Sequence, residues 1–343
     1  MPSSSSRSPR PPRRPPPADW PVRGAAPTST VRRRVERFDR AGSTNDIVRA
    51  WLDAGEPEVC VAVASEQTAG RGRLGRTWVA PPGAALLVSL GFRPTWLPVE
   101  RAWRLGASIA LAMADAAEDA AGLPVGSIRC KWPNDLVIET TGPNALLTGV
   151  VDAADAVARL AALLELRKLA GVLGESDGLG TDDPRVVVGI GINADWAADD
   201  FPPELASTMT SLREASGGRP IDRDALLDGF LDRVDGRIEA LRAGYFDLDA
   251  WATRQSVTGR LVTLEGTGEA SAAADDPVRA GDPVRADDPV RADDPVRAGV
   301  PVRALGIDAA TGGLVVEDAA APSGERVVHA GEVVRVRLVP GAV

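Results

Sequence analysis

The stretch QTAGRGRLGRTWVAPPG occupies residues 67–83, and Gly70-Arg71-Gly72-Arg73-Leu74-Gly75 within it is a literal G-x-G-x-x-G string. In a dinucleotide-binding fold, such a string opens a helix whose N-terminus meets a pyrophosphate. Here TWVAPPG follows, and Pro81-Pro82 forbids a helix at that place. A P-loop is excluded too, because no Gly-Lys-Ser/Thr follows. What remains is a flexible loop. Its glycines let the backbone fold tightly around a ligand, and Arg71, Arg73 and Arg76 offer bidentate grips to carboxylate or phosphate oxygens. Trp78, at the end of the loop, suits a cover over an aromatic or aliphatic ligand.

Outward from this loop the pattern alternates between strands and helices. Ser43-Thr44-Asn45-Asp46 before IVRAWLDAG marks a helix start with a glycine stop. VCVAVASE (59–66) and GAALLVSLGF (83–92) read as buried strands, and an Ala-rich helix is expected over 98–121. SIRCKWPNDLVIE (127–139) predicts a strand pair bent at Pro133. A loop and short apolar helix follow over 140–166, then strands over 167–176 and 185–193 and helices over 222–243 and 247–254. From Val257 the chain turns to short strands (GRLVTLEG, RALGID, GGLVVED, ERVVHAG, VVRVRLV), the pattern of a small β-barrel. The expected domains are a Pro/Arg/Ser-rich disordered arm (1–30), a main domain (31–256) with an insertion at about 140–166, and a small barrel (257–343). Hexapeptide repeats of the DDPVRA type at 275–304 read as an expanded surface loop, because they lack the apolar density to stack as a β-helix.

Composition narrows the function. The net charge is −9, yet residues 1–40 carry ten Arg, so the remainder is strongly acidic and unsuited to general nucleic-acid binding. No apolar run reaches the roughly 18 residues of a membrane span, and no apolar signal-peptide core follows the first residues. Cys60 and Cys130 stand far apart, with neither metal-ligand nor disulfide spacing; a reducing cytoplasm fits best. The single histidine, His329, lies in the barrel segment, so the main domain has no Ser-His-Asp triad and no His-rich metal site. Chemistry at neutral pH then falls to positioning and charge stabilisation, as in nucleotidyl transfer.

Only two of the 39 basic residues are lysines, Lys131 and Lys168. A lysine kept in a chain that otherwise uses arginine points to a need for a compact ammonium. Both fall in unusual strings. Lys131-Trp132-Pro133-Asn134-Asp135 sets a cation, an amide and a carboxylate at a proline bend, a set able to coordinate a nucleotide and its Mg²⁺. Arg167-Lys168-Leu169-Ala170-Gly171 holds the second. In Gly189-Ile190-Gly191-Ile192-Asn193, glycines inside an apolar strand imply close approach to the backbone. Three of the four Asn (Asn45, Asn134, Asn193) and one of the two Gln (Gln67) fall in these strings, the helix start at 43–46 or the glycine loop.

With STN at 43–45, QTAGRGRLGRTW at 67–78, KWPND at 131–135, RKLAG at 167–171 and GIGIN at 189–193, the sequence resembles the biotin–protein ligase family. It resembles the short form without an N-terminal DNA-binding domain. The resemblance implies an α+β fold: a class II synthetase-like catalytic domain with a mixed sheet, plus a C-terminal SH3-like barrel. It implies ATP-dependent formation of biotinyl-5′-AMP, then transfer of biotin to a lysine of a biotin carboxyl carrier domain. In that scheme Ser43, Thr44 and Gln67 bind the ureido head, with Asn45 beside them. Gly70, Arg71 and Gly72 close over the biotin tail, and Gly171 lets the backbone approach it. Arg73 and Lys168 are the catalytic cations, gripping phosphate and the biotin carboxylate. Arg76, Trp78, Lys131, Asn134 and Asp135 place ATP and Mg²⁺, with Asp135 the candidate metal ligand, and Asn193 reads the adenine. The 31 residues between KWPND and RKLAG (136–166), about 27 of them in the insertion at 140–166, stand where the family has a short hairpin. No operator binding and no membrane are expected; monomer and homodimer both remain open. The rival assignment, a lipoate or octanoate ligase or transferase, lacks the GRGRxGR and KWPND strings.

Overall fold

The computed structural model describes residues 34–141, 164–266, 300–330 and 333–339; the expected arm, most of the insertion and most of the hexapeptide tract lie outside them. A seven-stranded sheet is built from β1 (Arg34–Phe38), β2 (Cys60–Ala64), β3 (Ala85–Phe92), β4 (Ile128–Lys131), β5 (Asp135–Thr141), β6 (Leu164–Asp177) and β7 (Arg185–Asn193). Its order is β1-β2-β3-β7-β6-β5-β4. Only β1 and β2 pair in parallel; the other pairs are antiparallel, so the sheet is mixed. With its helices this is an α+β architecture.

Helices α1 (Thr44–Asp53) and α2 (Trp103–Ala121) cover opposite faces. Along a strand, successive side chains alternate between faces. On β7, Gly189 faces Asn45 of α1, whereas Val186 and Val188 line a space together with Ala107 and Ala110 of α2. Central β3 is accordingly buried along its whole length. Helix α3 (Arg223–Arg242) packs on α2, and α4 (Leu248–Thr253) follows it.

The C-terminal segment forms β8 (Leu261–Gly266), β9 (Pro301–Ile307), β10 (Leu314–Glu317), β11 (Glu325–Val328) and β12 (Val333–Leu338), an antiparallel sheet in the order β11-β10-β9-β8-β12. The expected small β domain is therefore an open sheet: among the described residues its edge strands β11 and β12 do not pair. Its apolar face closes over Trp132 of the KWPND turn, which is buried with Val262, Leu264, Ala304, Leu314, Val316, Val328 and Val336. The indole Nε1 donates to the Gly312 carbonyl at 3.0 Å. The proline bend is thus the socket on which the second sheet sits, a role its sequence did not announce.

One strand, β1, was not expected. Its Arg and Glu residues mask the alternation; only every second residue is half-buried, as an edge strand allows.

Candidate functional site

Seven sequence-distant segments meet around a cavity of about 510 Å³. The expected site residues Ser43, Thr44, Asn45, Gln67, Arg71, Gly72, Arg73, Arg76, Trp78, Lys131, Asn134, Asp135, Lys168 and Gly171 all line it; Gly70 and Asn193 do not.

At one end lies the N-terminus of α1. Ser43 is its N-cap but makes no side-chain capping bond, which leaves the hydroxyl for the cavity. Gln67 Oε1 accepts from the Thr44 backbone N–H at 2.7 Å and lies 3.0 Å from Thr44 Oγ1. With its oxygen occupied, Gln67 has its amide N–H₂ to offer as a donor. Behind them the fully buried Ser89 Oγ sits 2.7 Å from Thr44 Oγ1 and 2.6 Å from Asn45 Oδ1. This hydroxyl fixes both side chains. An alanine- and leucine-rich strand gave no hint of it.

The glycine loop is a short hairpin. Trp78 N–H donates to Gly70 O at 2.9 Å, Gly72 N–H to Arg76 O at 2.6 Å, and Arg71 bridges Thr77. Gly70 serves the base of this hairpin: a Cβ there would lie 2.5 Å from the Trp78 carbonyl oxygen. At the tip, Leu74 takes a left-handed conformation (φ 57°), which costs a non-glycine residue about 1 kcal/mol. The Arg73 guanidinium reaches across to Asn134 Oδ1 at 3.4 Å and to the Ala330 carbonyl of the C-terminal sheet. Its burial there pushes its pKa down, partly offset by Asp135.

The floor of the cavity is β6 and β7. Gly171 and Gly191 are register partners across these strands. A Cβ on Gly191 would lie 2.8 Å from the Trp78 ring, and one on Gly171 3.4 Å from it. The close approach inferred from these glycines is therefore, in this structure, the approach of Trp78. Gly189 makes room in the same way for Asn45.

Lys168 reaches the cavity because of a register shift between Leu136 and Val137 of β5, where Leu136 pairs with Ala170 and Val137 with Lys168. The extra residue, Leu169, is fully buried. The bulge reverses the face alternation, so Lys168 and Gly171, three apart, share one face; the Lys168 Nζ would be 3.3 Å from a Gly171 Cβ. Nζ lies 2.7 Å from Asp135 Oδ1 and 5.5 Å from the Trp78 ring centroid. Asp135 Oδ1 is itself buried, so this charge contact holds the ammonium at the cavity wall. Arg167, the preceding residue, braces the adjoining wall. It pairs with Glu214 and donates to the carbonyls of Ala206 and Met209. Thr208 and Met209 complete the lining there.

Asn193 departs from expectation. It is fully buried and its Nδ2 donates to Thr210 O at 2.9 Å, pinning the segment that follows Met209, while Oδ1 is left without a partner. Val336 and Arg337 of β12 also line the cavity; nothing in their sequence context marked them. Among the described residues, no three His, Cys, Asp or Glu side chains cluster as a metal site, and no helix is long and apolar enough to cross a membrane.

This arrangement has relatives. The model of the biotin/lipoate A/B protein ligase family matches residues 38–193, the span from β1 to the end of β7. The chain is 30% identical over 264 residues to the bifunctional ligase/repressor BirA of Bacillus spizizenii, covering 75% of this chain and 72% of that protein. It is 34% identical over 213 residues to the biotin–(acetyl-CoA-carboxylase) ligase of Paracoccus denitrificans, covering 60% and 75%. The solved structure of a biotin protein ligase from Aquifex aeolicus in complex with biotin and ATP has the same fold, with a TM-score of 0.60 and 21% identity over 89% of this chain and 99% of that one. By its motifs, its sheet and these relatives, the chain belongs to the biotin–protein ligase family.

Proposed function

We propose that this protein is a biotin–protein ligase that forms biotinyl-5′-AMP from biotin and ATP and then acylates a lysine of a biotin carboxyl carrier domain. The observation that carries this reading is the cavity's polarity. Hydroxyl and amide groups of Ser43, Thr44 and Gln67 stand at one end, and Lys168 with Asp135 stands near Trp78. Biotin has the matching polarity, an apolar body with a ureido head and a carboxylate tail, and suits an apolar pocket with a few placed hydrogen bonds.

In the first step a biotin carboxylate oxygen attacks the α-phosphorus of ATP, and the bond to the leaving pyrophosphate breaks. Lys168 stabilises the charge gathering between the two anions, and Arg73 grips phosphate. The hairpin of residues 70–78 excludes water from the mixed anhydride. In the second step the acceptor amine attacks the biotinyl carbonyl and AMP leaves. Lys131, Asn134 and Arg76 stand where they can hold the nucleotide. Asn193 acts indirectly, through the Thr210 segment. Were Mg²⁺ to accompany ATP, Asp135, the one carboxylate among the described lining residues, would be the side chain to hold it, and the ion would offset phosphate charge. A linear lipoyl or octanoyl chain has no use for the ureido-binding set, which disfavours that rival.

The C-terminal sheet, open among the described residues, is read as a small SH3-like β domain on the strength of its five antiparallel strands curled around Trp132. A cytoplasmic location is proposed, which the free, buried thiols of Cys60 and Cys130 suit. The test is incubation with biotin, Mg-ATP and a purified carrier domain. The carrier gains one biotinyl group; a carrier whose acceptor lysine is replaced by arginine gains none. An unlabelled wild-type carrier would contradict the assignment.

A further inference from the structure

Arg71 was expected to close over the biotin tail, yet its guanidinium is engaged by protein carboxylates. Nη1 and Nη2 donate to Asp46 Oδ2 and Oδ1, both at 2.7 Å, a bidentate fork. Nη2 also lies 3.3 Å from both oxygens of Glu175. Glu175 in turn pairs with Arg49 at 3.0 Å and accepts from Asn45 Nδ2 at 2.6 Å. Three elements therefore converge on one side chain of the hairpin: the first turn of α1, next to Ser43–Asn45; strand β6, which carries Lys168; and the hairpin itself.

We propose that Asp46, backed by Glu175, is a positioning residue that latches the hairpin closed through Arg71 and so sets how long the adenylate stays in the cavity. The proposal rests on the function assigned above. Exposure suits a latch better than a rivet. The Arg71 and Asp46 side chains are 36% and 53% exposed, so their pair is weak and screened by salt. A hairpin that must open in every turnover to admit biotin and release product needs that reversibility. The buried pair of Arg254 and Glu118, 9% and 2% exposed, shows what a permanent lock in the same molecule looks like.

The test uses the full-length protein and its variants Asp46→Asn and Asp46→Glu, with biotinyl-5′-AMP preformed on each and its dissociation rate measured at low and high salt. At low salt Asp46→Asn is expected to release the adenylate about three- to fivefold faster than wild type, the range of an exposed but bidentate pair. Salt should speed release from the wild type towards the rate of the variant and leave the variant less affected. Asp46→Glu should lie closer to wild type. The KM for biotin should rise in Asp46→Asn more than kcat falls, with the melting temperature unchanged. Release from Asp46→Asn at the wild-type rate, with the same salt dependence, overturns the latch and leaves the ligase assignment standing. Failure of the wild type to form any adenylate overturns the ligase assignment, and the latch with it.

Discussion

Gly171 and Gly191 stand opposite each other on β6 and β7, and the Trp78 indole lies on the bare backbone they leave. The pair explains why two glycines are kept within apolar strands, where each weakens the strand. Gly191→Ala places a methyl group 2.8 Å from the ring, and the hairpin must lift. We expect biotin-dependent ATP–pyrophosphate exchange to fall at least about tenfold, as small misplacements in a positioned site do. Gly174→Ala, on β6 with nothing within 4 Å of the new methyl, should exchange like wild type.

Trp132 holds the two sheets together. Trp132→Ala should destabilise the protein by roughly 3–5 kcal/mol, the cost of emptying a buried aromatic site. Trp132→Phe, which keeps most of the packing but loses the bond to Gly312 O, should cost about 1–2 kcal/mol. Denaturant unfolding monitored by far-UV circular dichroism measures both; equal stabilities would contradict the docking role.

Glu118 is buried in α2 and accepts from the Gly126 and Ile128 backbone N–H groups and from both terminal nitrogens of Arg254. Removing one partner of such a pair strands the other charge. Glu118→Ala should therefore lower stability by roughly 3–5 kcal/mol, read as a fall in melting temperature. The site, on the opposite face of the sheet, should keep its affinity for biotin below that temperature.

Cys60 and Cys130 are both buried and free. Burial pushes both thiols up, that of Cys130 to about 12, so at pH 8 each remains a protonated, unreactive thiol. Mass spectrometry after iodoacetamide should show no alkylation of the folded protein and two additions after denaturation. Rapid labelling of Cys60 in the native chain would contradict the packing of α1 on β2 and β3.

Much of this was legible because periodicity and chemistry coincide. In Arg185–Asn193 the isoleucines and valines of one parity make core and the glycines of the other make the site floor, so one string reports both strand and ligand face. KWPND and RKLAG stood out because a chain of arginines keeps its lysines there, and both lysines do line one cavity. The illegible parts depend on contacts between distant residues. Asp46, Ser89 and Glu175 are ordinary in their local sequence and matter only through partners 25, 45 and 104 positions away. The bulge that turns Lys168 towards Gly171 is a property of strand pairing, invisible along a single strand. Asn193 carried the signal of a ligand residue, yet tertiary packing uses its amide against Thr210.

Biotin-dependent ATP–pyrophosphate exchange by the purified protein tests the central claim most directly, with lipoate and octanoate in parallel and Lys168→Ala as control. The account predicts exchange with biotin alone, abolished by the substitution. Exchange driven by lipoate or octanoate, or exchange with biotin that survives the loss of Lys168, would contradict it.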